Sequence, residues 1–378
     1  MRLLPALVVL LFSPFVFAQQ SAIPIPSMPA IAAKAYLLLD FNSGQLLGSH
    51  NPHERIEPAS LTKLMTAYVT FTALKQKTLR PEQTVPVSER AWRAEGSRMF
   101  IEPRKPVTVG ELIRGMIVQS GNDACIALAE AIAGSEDVFA QMMTREARRL
   151  GMKNTHFVNS TGLPHPQHYS TAHDLALLAA AIVRDFSEYY PLYSTKEFRY
   201  NNISQSNRNR LLWTDPTVDG MKTGYTENAG YCLITSARRD ERRLISVVLG
   251  AASETARAIE SQKLLNYGFQ FYDTVRLYEK NQAVATLRVW KGGSNTVKAG
   301  FTSDLYLSLP KGQVEKLKAS VESLQPLLAP IGAGQQVGTM KLTLDGKPYR
   351  ELPVVALESV PVAGILGRGW DSIRLLFK

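Results

Sequence analysis

Three patterns in the chain predict an α+β fold. Strand-like runs at Ala35–Asp40 and again beyond Asp219 bracket a middle, Val87 to Gly151, that is mostly helical. Short alternating strands occupy residues 281–360, and an amphipathic run closes the chain over residues 363–378. Strands from both ends of a segment, with helices between them, point to one sheet with helices on its faces and an all-helical insert. A small all-β domain and a terminal amphipathic helix then follow.

The first 18 residues stand apart from the fold. Arg2 supplies a short positive region, Leu3 to Phe17 is apolar and interrupted by Pro5 and Pro14, and Ala18 ends the run with a small residue. Residues 1–18 are therefore expected to be a secretory signal peptide. Their apolar run falls short of the ~20 residues that a bilayer span needs. Residues 19–34, rich in Pro and Ser at their start, are expected to be an N-terminal linker.

From Ala35 a β-hairpin is expected, with Asn42-Ser43-Gly44 as its turn and Gln45-Leu46-Leu47 as its return. Pro58-Ala59-Ser60 then opens a helix whose apolar positions, Leu61, Leu64, Met65, Tyr68 and Val69, keep helical spacing. Thr108 and Glu111 read as a capping box, and that helix ends at Gln119-Ser120-Gly121-Asn122-Asp123, where a second apolar helix starts. Ser170 to Asp174 caps another helix through Arg184. Strands at Tyr231–Ser236 and Arg243–Leu249 and a helix from Ser253 to about Tyr272 complete a catalytic-domain candidate over residues 35–276. Near Asp273–Lys280 the character shifts to the all-β region, in which no catalytic constellation is visible.

The last stretch, 363–378, carries Ile365, Leu366, Trp370, Ile373, Leu376 and Phe377 at helical spacing, with Arg368, Asp371, Arg374 and Lys378 on the opposing stripe. Such a helix suits the plane of a membrane surface. The alternative is a terminal helix docked on the β domain.

Composition narrows the partners. Net charge is +10 from 43 basic and 33 acidic residues, yet an exported chain rarely meets nucleic acid, so an anionic membrane surface or an acidic envelope polymer fits better. Two cysteines, Cys125 in an apolar helix and Cys232 in a strand, are read as buried free thiols rather than a bridge. His165, His168 and His173 crowd one polar loop without an acidic ligand at helical spacing, so they are read as surface or loop histidines and no metal is expected.

The chemistry rests on three short motifs in order. In Ser60-Leu61-Thr62-Lys63, residues three apart share a helix face, so the Lys63 amine reaches the Ser60 hydroxyl. A serine becomes a nucleophile when a base takes its proton, and a lysine made neutral by burial or by a second cation is such a base. Alone, this tetrapeptide is equally a cap and a solvated lysine. Ser120-Gly121-Asn122 sits in a tight loop between two helices, and Lys222-Thr223-Gly224 begins an edge strand.

The ordered triple resembles that of class A β-lactamases and penicillin-binding proteins. With its surroundings, Pro58 to Thr66, Gln119 to Cys125, Asn207-Arg208-Asn209 and Val218 to Gly224, the chain resembles the low-molecular-mass penicillin-binding proteins that are serine-type D-alanyl-D-alanine carboxypeptidases (peptidase family S11). The resemblance implies an antiparallel sheet flanked by helices, an all-helical subdomain, a small all-β domain and a C-terminal amphipathic anchor. It implies that Ser60 is the acylated nucleophile, Lys63 its general base and Ser120 a proton shuttle. Asn122 would hold the substrate amide, while Lys222, Thr223 and Arg208 would bind the terminal carboxylate. Arg208 also reads as a surface arginine in a polar run. Gly224 would let an extended substrate approach the edge strand, and Lys222 would place a second cation near Lys63 and depress its pKa. The oxyanion would be met by backbone N–H groups, of Ser60 and of the residue after Gly224. No cofactor is implied.

The implied reaction removes the terminal D-alanine of peptidoglycan pentapeptide stems at the periplasmic face of the inner membrane, with β-lactams as acylating inhibitors. Tyr225 stands where some relatives carry His, and Arg98 lies in a variable cleft-edge loop. Two alternatives remain at this level. A class A-like β-lactamase needs a Glu after the second motif, and none occurs between Ala147 and Ser187. A non-catalytic stem-binding envelope protein has no physical need for paired lysines in a cleft.

Overall fold

The computed structural model describes residues 27–376. The expected signal peptide and the first part of the linker, 19–26, lie outside the described residues.

A five-stranded antiparallel sheet organises the first part of the chain. Its strands are β1 (Ala35–Asp40), β2 (Leu46–His50), β3 (Val218–Thr226), β4 (Gly230–Arg239) and β5 (Arg242–Ala251), in the spatial order β2-β1-β5-β4-β3. Alternation along each strand divides the apolar side chains between two cores. Leu37, Leu39, Ile234, Ile245, Val247 and Leu249 join the core of the helical region. Leu38, Leu233, Leu244 and Val248 face the other way, onto Leu264 and Leu265. Those two leucines belong to the helix Glu254–Phe271, which starts where Ser253 Oγ accepts the Ala256 N–H at 3.0 Å.

The helical insert follows the expected caps. In the helix Val109–Val118 the Thr108 hydroxyl accepts the Glu111 N–H and the Glu111 carboxylate accepts the Thr108 N–H. The helix Ala172–Asp185 is capped by Thr171. The helix Lys63–Lys75 is buried along nearly all of its length, as an apolar-all-round helix at the centre of a core must be.

Three elements depart from expectation. Ser60 lies not in an α-helix but in a 3-10 turn, Ala59–Thr62, whose Ala59 has φ +47. Lys222 sits in the middle of strand β3 rather than at its start. Strand Tyr272–Tyr278 follows the helix Glu254–Phe271 with no intervening linker and pairs antiparallel with Leu305–Pro310.

The all-β region holds a six-stranded sheet built on Gln336–Leu344 and Lys347–Ala356. Its edge strand Leu317–Ser323 is mostly exposed, so its sequence carries little apolar alternation and escaped prediction. Cross-ties join this region to the first sheet. Asp40, fully buried, accepts from Arg242 Nε at 2.9 Å and from Thr274 Oγ1. Gln45 exchanges two hydrogen bonds with the Ser308 backbone, at 3.2 and 2.9 Å. A last helix spans Ile365–Leu376, and Asp371 accepts the Lys291 N–H at 2.6 Å. Among the described residues no helix is long and apolar enough to cross a membrane.

Candidate active site

The 3-10 turn delivers Ser60 half-buried at the mouth of a cleft of about 250 Å³. One turn on, Lys63 is 1% exposed, with its Nζ 3.0 Å from Ser60 Oγ and 2.5 Å from the Thr161 carbonyl oxygen. Ser120 enters from the loop between two helices, with φ +67. Its Oγ is buried and has no hydrogen-bond partner among the described residues. Ser120, Thr223, Gly224 and Arg208 line the same cleft as Ser60. A larger hollow, of about 630 Å³ beside Leu211 and Ile259, contains none of the motif residues.

Asn122 and Asp123 build the rim. Asn122 Nδ2 donates to the Glu95 carbonyl at 2.6 Å, and its backbone N–H donates to Ser97 O. The Asp123 carboxylate gathers the N–H groups of Met99, Phe100 and Ile101 at 3.0, 2.8 and 3.2 Å. Opposite, Lys222 is buried and its Nζ donates to the Thr223 carbonyl at 2.9 Å. Arg208 is exposed to the cleft between two buried asparagines. Asn209 Nδ2 donates to Gly220 O at 3.1 Å, and Asn207 Oδ1 accepts the Asn209 N–H. The polar run thus pins its two asparagines and presents the guanidinium between them.

Burial depresses the Lys63 pKa to about 8, with the Arg208 cation adding to the fall and Cys125, Asp123 and Glu136 opposing it. The sequence argument credited Lys222 with that depression. The structure corrects it: dehydration of the ammonium is the main cause, and Arg208 is the cation that acts on Lys63. Lys222 is itself pushed well below the usual lysine range, by burial first and then by Lys63, Arg208 and Arg257. Burial pushes the Cys125 thiol up to about 12, and both cysteines are free and buried.

Comparison with known proteins fits this geometry. The sequence profile described as D-alanyl-D-alanine carboxypeptidase matches residues 22–253. The chain belongs to that family. A profile described as penicillin-binding protein 5, C-terminal domain, matches residues 272–362. The D-alanyl-D-alanine carboxypeptidase DacC of Escherichia coli K12 is 43% identical over 97% of this chain and 93% of its own length. The crystal structure of penicillin binding protein 5 from Haemophilus influenzae is similar with a TM-score of 0.85 and 42% identity, covering 88% of this chain and 98% of that one. Penicillin-binding protein D2 of Listeria monocytogenes, solved in an ampicillin-bound form, is similar over 64% of this chain and 98% of that one, with a TM-score of 0.59 and 29% identity. The protein is accordingly a D-alanyl-D-alanine carboxypeptidase, a hydrolase of the serine peptidase class.

Several residues around the Ser60 cleft carried no sequence signal. Arg257, on the helix behind the sheet, is 3% exposed, donates to the Gly224 carbonyl at 3.3 Å and lines the cleft. Thr161 supplies the carbonyl that holds Lys63 from a loop 98 residues away. His168, read as a surface or loop histidine, is 2% exposed and bonded to Thr62, next to Lys63. Gly224 gives room to the chain's own turn: a Cβ there would lie 3.2 Å from Pro58 O and 3.3 Å from Ala59 Cβ.

Gly162 is the tightest of these contacts. It has φ +86, and a Cβ would lie 1.8 Å from Ala59 O. Gly162→Ala is expected to cost more than the roughly 1–3 kcal/mol of a left-handed non-glycine residue, because the overlap adds to the strain. The carboxypeptidase should then unfold at lower temperature and be acylated more slowly. Wild-type melting together with wild-type penicillin labelling would show that the loop does not bear on the turn.

Proposed function

We propose that the reaction runs through an ester on Ser60. A neutral Lys63 takes the Ser60 proton as Oγ attacks the carbonyl of the penultimate D-alanine in a peptidoglycan pentapeptide stem. The oxyanion is met by the N–H groups of Ser60 and Tyr225. The C–N bond then breaks, and the leaving D-alanine amine takes its proton through Ser120. Water attacks the ester, with the same groups acting in reverse, and frees the shortened stem. The observation that carries this reading is the 3.0 Å approach of a buried Lys63 amine to Ser60 Oγ. The unpartnered Ser120 hydroxyl supports the shuttle role.

Arg208, Lys222 and Thr223 are assigned the terminal carboxylate of the stem. Such an assignment explains a preference for cleavage at a chain end over cleavage within a chain. Asn122 is assigned the substrate amide, beside the bond its Nδ2 gives to Glu95. Residues 35–276 are assigned to catalysis, and residues 281–360 to a separate β domain. β-Lactams are read as acylating the same hydroxyl, because a strained lactam presents the same carbonyl and carboxylate. Their esters should persist: the Glu136 carboxylate is engaged by Ser160 N–H and Oγ at 2.9 and 2.7 Å and by Arg90. It is not free to drive water in the manner of a class A β-lactamase.

Fluorescent penicillin should label the wild type and leave Ser60→Ala unlabelled, while pentapeptide yields free D-alanine only with the wild type. Labelling of Ser60→Ala would sink the nucleophile assignment. The labelling rate should climb with pH and level off above about 8, as Lys63 loses its proton. A flat profile through that range would remove Lys63 from the role of base.

The chain is further proposed to work at the periplasmic face of the inner membrane, peripherally held by residues 363–378 on anionic lipid. Ile365 and Trp370 are 80% and 58% exposed, and the Arg374 guanidinium lies 5.2 Å from the Trp370 ring centre. The full chain should sediment with anionic vesicles at low salt, and a joint Ile365→Ala, Trp370→Ala change should weaken this several-fold. Equal sedimentation of the two proteins would refute the anchor.

A further inference from the structure

The turn that carries Ser60 is poorly held by its own residues. It begins without a side-chain cap, and Ala59 sits at φ +47, a conformation that costs a non-glycine residue free energy unless its surroundings impose it. Something outside the turn must impose it. The loop 158–168 does so at three points: Thr161 O receives Lys63 Nζ, Gly162 abuts Ala59, and His168 reaches Thr62.

We infer that His168 is a positioning residue for the nucleophile, because its ring bridges the loop backbone to the hydroxyl of Thr62, the residue between Leu61 and the base. The inference rests on the reading of Ser60 and Lys63 as nucleophile and base.

The sense of the bridge follows from its two bonds. The Val158 N–H donates to His168 Nδ1 at 3.2 Å, so Nδ1 carries no proton. The proton of the neutral ring therefore sits on Nε2 and is donated to Thr62 Oγ1, 2.8 Å away. Both side chains are buried, His168 at 2% exposure and Thr62 at 0%. Water therefore does not compete for the bond. The Phe157 ring meets the imidazole edge-on at 5.6 Å and fixes its plane. Burial first, and then the neighbouring titratable groups His156, His165 and Lys63, oppose its protonation and hold its pKa down to about 4. The donor–acceptor sense is thus constant wherever Lys63 can act as base.

A buried, satisfied histidine is usually no more than core. What distinguishes this one is its partner, since a tilt of Thr62 moves Ser60 and Lys63 together, and misplacement of reacting groups by about 1 Å can cost ~100-fold in rate.

Two substitutions separate the bonds. His168→Asn keeps an acceptor near the Nδ1 position for Val158 and loses Thr62. His168→Gln keeps a donor near the Nε2 position for Thr62 and loses Val158. Acylation by fluorescent penicillin and D-alanine release should fall roughly ten- to a hundredfold in His168→Asn and in Thr62→Val. His168→Gln should keep most of the rate although it melts no higher than His168→Asn. Adding Thr62→Val to His168→Asn should produce little further loss. The inference is overturned if Asn and Gln lose rate alike, if neither does, or if Thr62→Val acylates at the wild-type rate. Should His168→Asn fail to fold, Thr62→Val decides the matter alone. Labelling of Ser60→Ala is the separate result that would fail the underlying reading, whatever His168 does.

Discussion

Dehydration of one ammonium group is the constraint on which the cleft depends. Lys63 lies at 1% exposure inside an apolar core, in contact with one carbonyl and one hydroxyl. A charge in that setting is costly, and the group relieves the cost by releasing its proton more readily. The same burial removes the rotational freedom that a surface lysine keeps. Basicity and aim therefore have a single origin, the packing of the helix Lys63–Lys75 within the insert. Lys222, buried across the cleft, is held well below the usual lysine range in the same way, by burial first and then by Lys63, Arg208 and Arg257.

The sheet matters because it brings a straight edge against an irregular turn. Strand β3 is the outermost strand and can abut Pro58–Leu61 because Gly224 has no side chain. Arg257 holds the Gly224 carbonyl from behind. On the other side the second motif works mostly as masonry. Asn122 and the adjoining Asp123 hold the 95–101 rim through backbone atoms, while the Ser120 hydroxyl has no hydrogen-bond partner among the described residues. An unsatisfied buried hydroxyl lining the same cleft as Ser60 is a feature that packing alone does not reward.

Much of this was legible in the amino-acid order, and the reason is local. Ser60 and Lys63 are coupled by helical spacing, Ser120 by a helix–helix turn, and Lys222 to Gly224 by one strand. Thr161, Gly162, His168 and Arg257 were not legible because each acts across more than 30 residues and through a contact no periodicity announces. His168 does lie in a loop, as read, but its burial was missed for a physical reason: its neighbours His165 and Gln167 are polar, and only the folded loop turns the ring inward. Arg208 was read both as a carboxylate ligand and as a surface arginine; it is exposed, and what the sequence did not show is that the asparagines on either side of it are buried pins. The strand Tyr272–Tyr278 was blurred because it begins where a helix ends, with no turn residue between.

That seamless passage from helix to strand has a mechanical meaning. Beside it, Asp40, Gln45 and Arg242 of the first sheet and its turn tie to Thr274, Ser308 and Tyr272 of the two-stranded sheet Tyr272–Tyr278 and Leu305–Pro310. A joint so cross-braced, with no slack chain at its centre, does not swing like a hinge. The all-β region is thus braced against the catalytic sheet by side-chain hydrogen bonds rather than strung on a linker, so the cleft and that region share one joint instead of two ends of a tether.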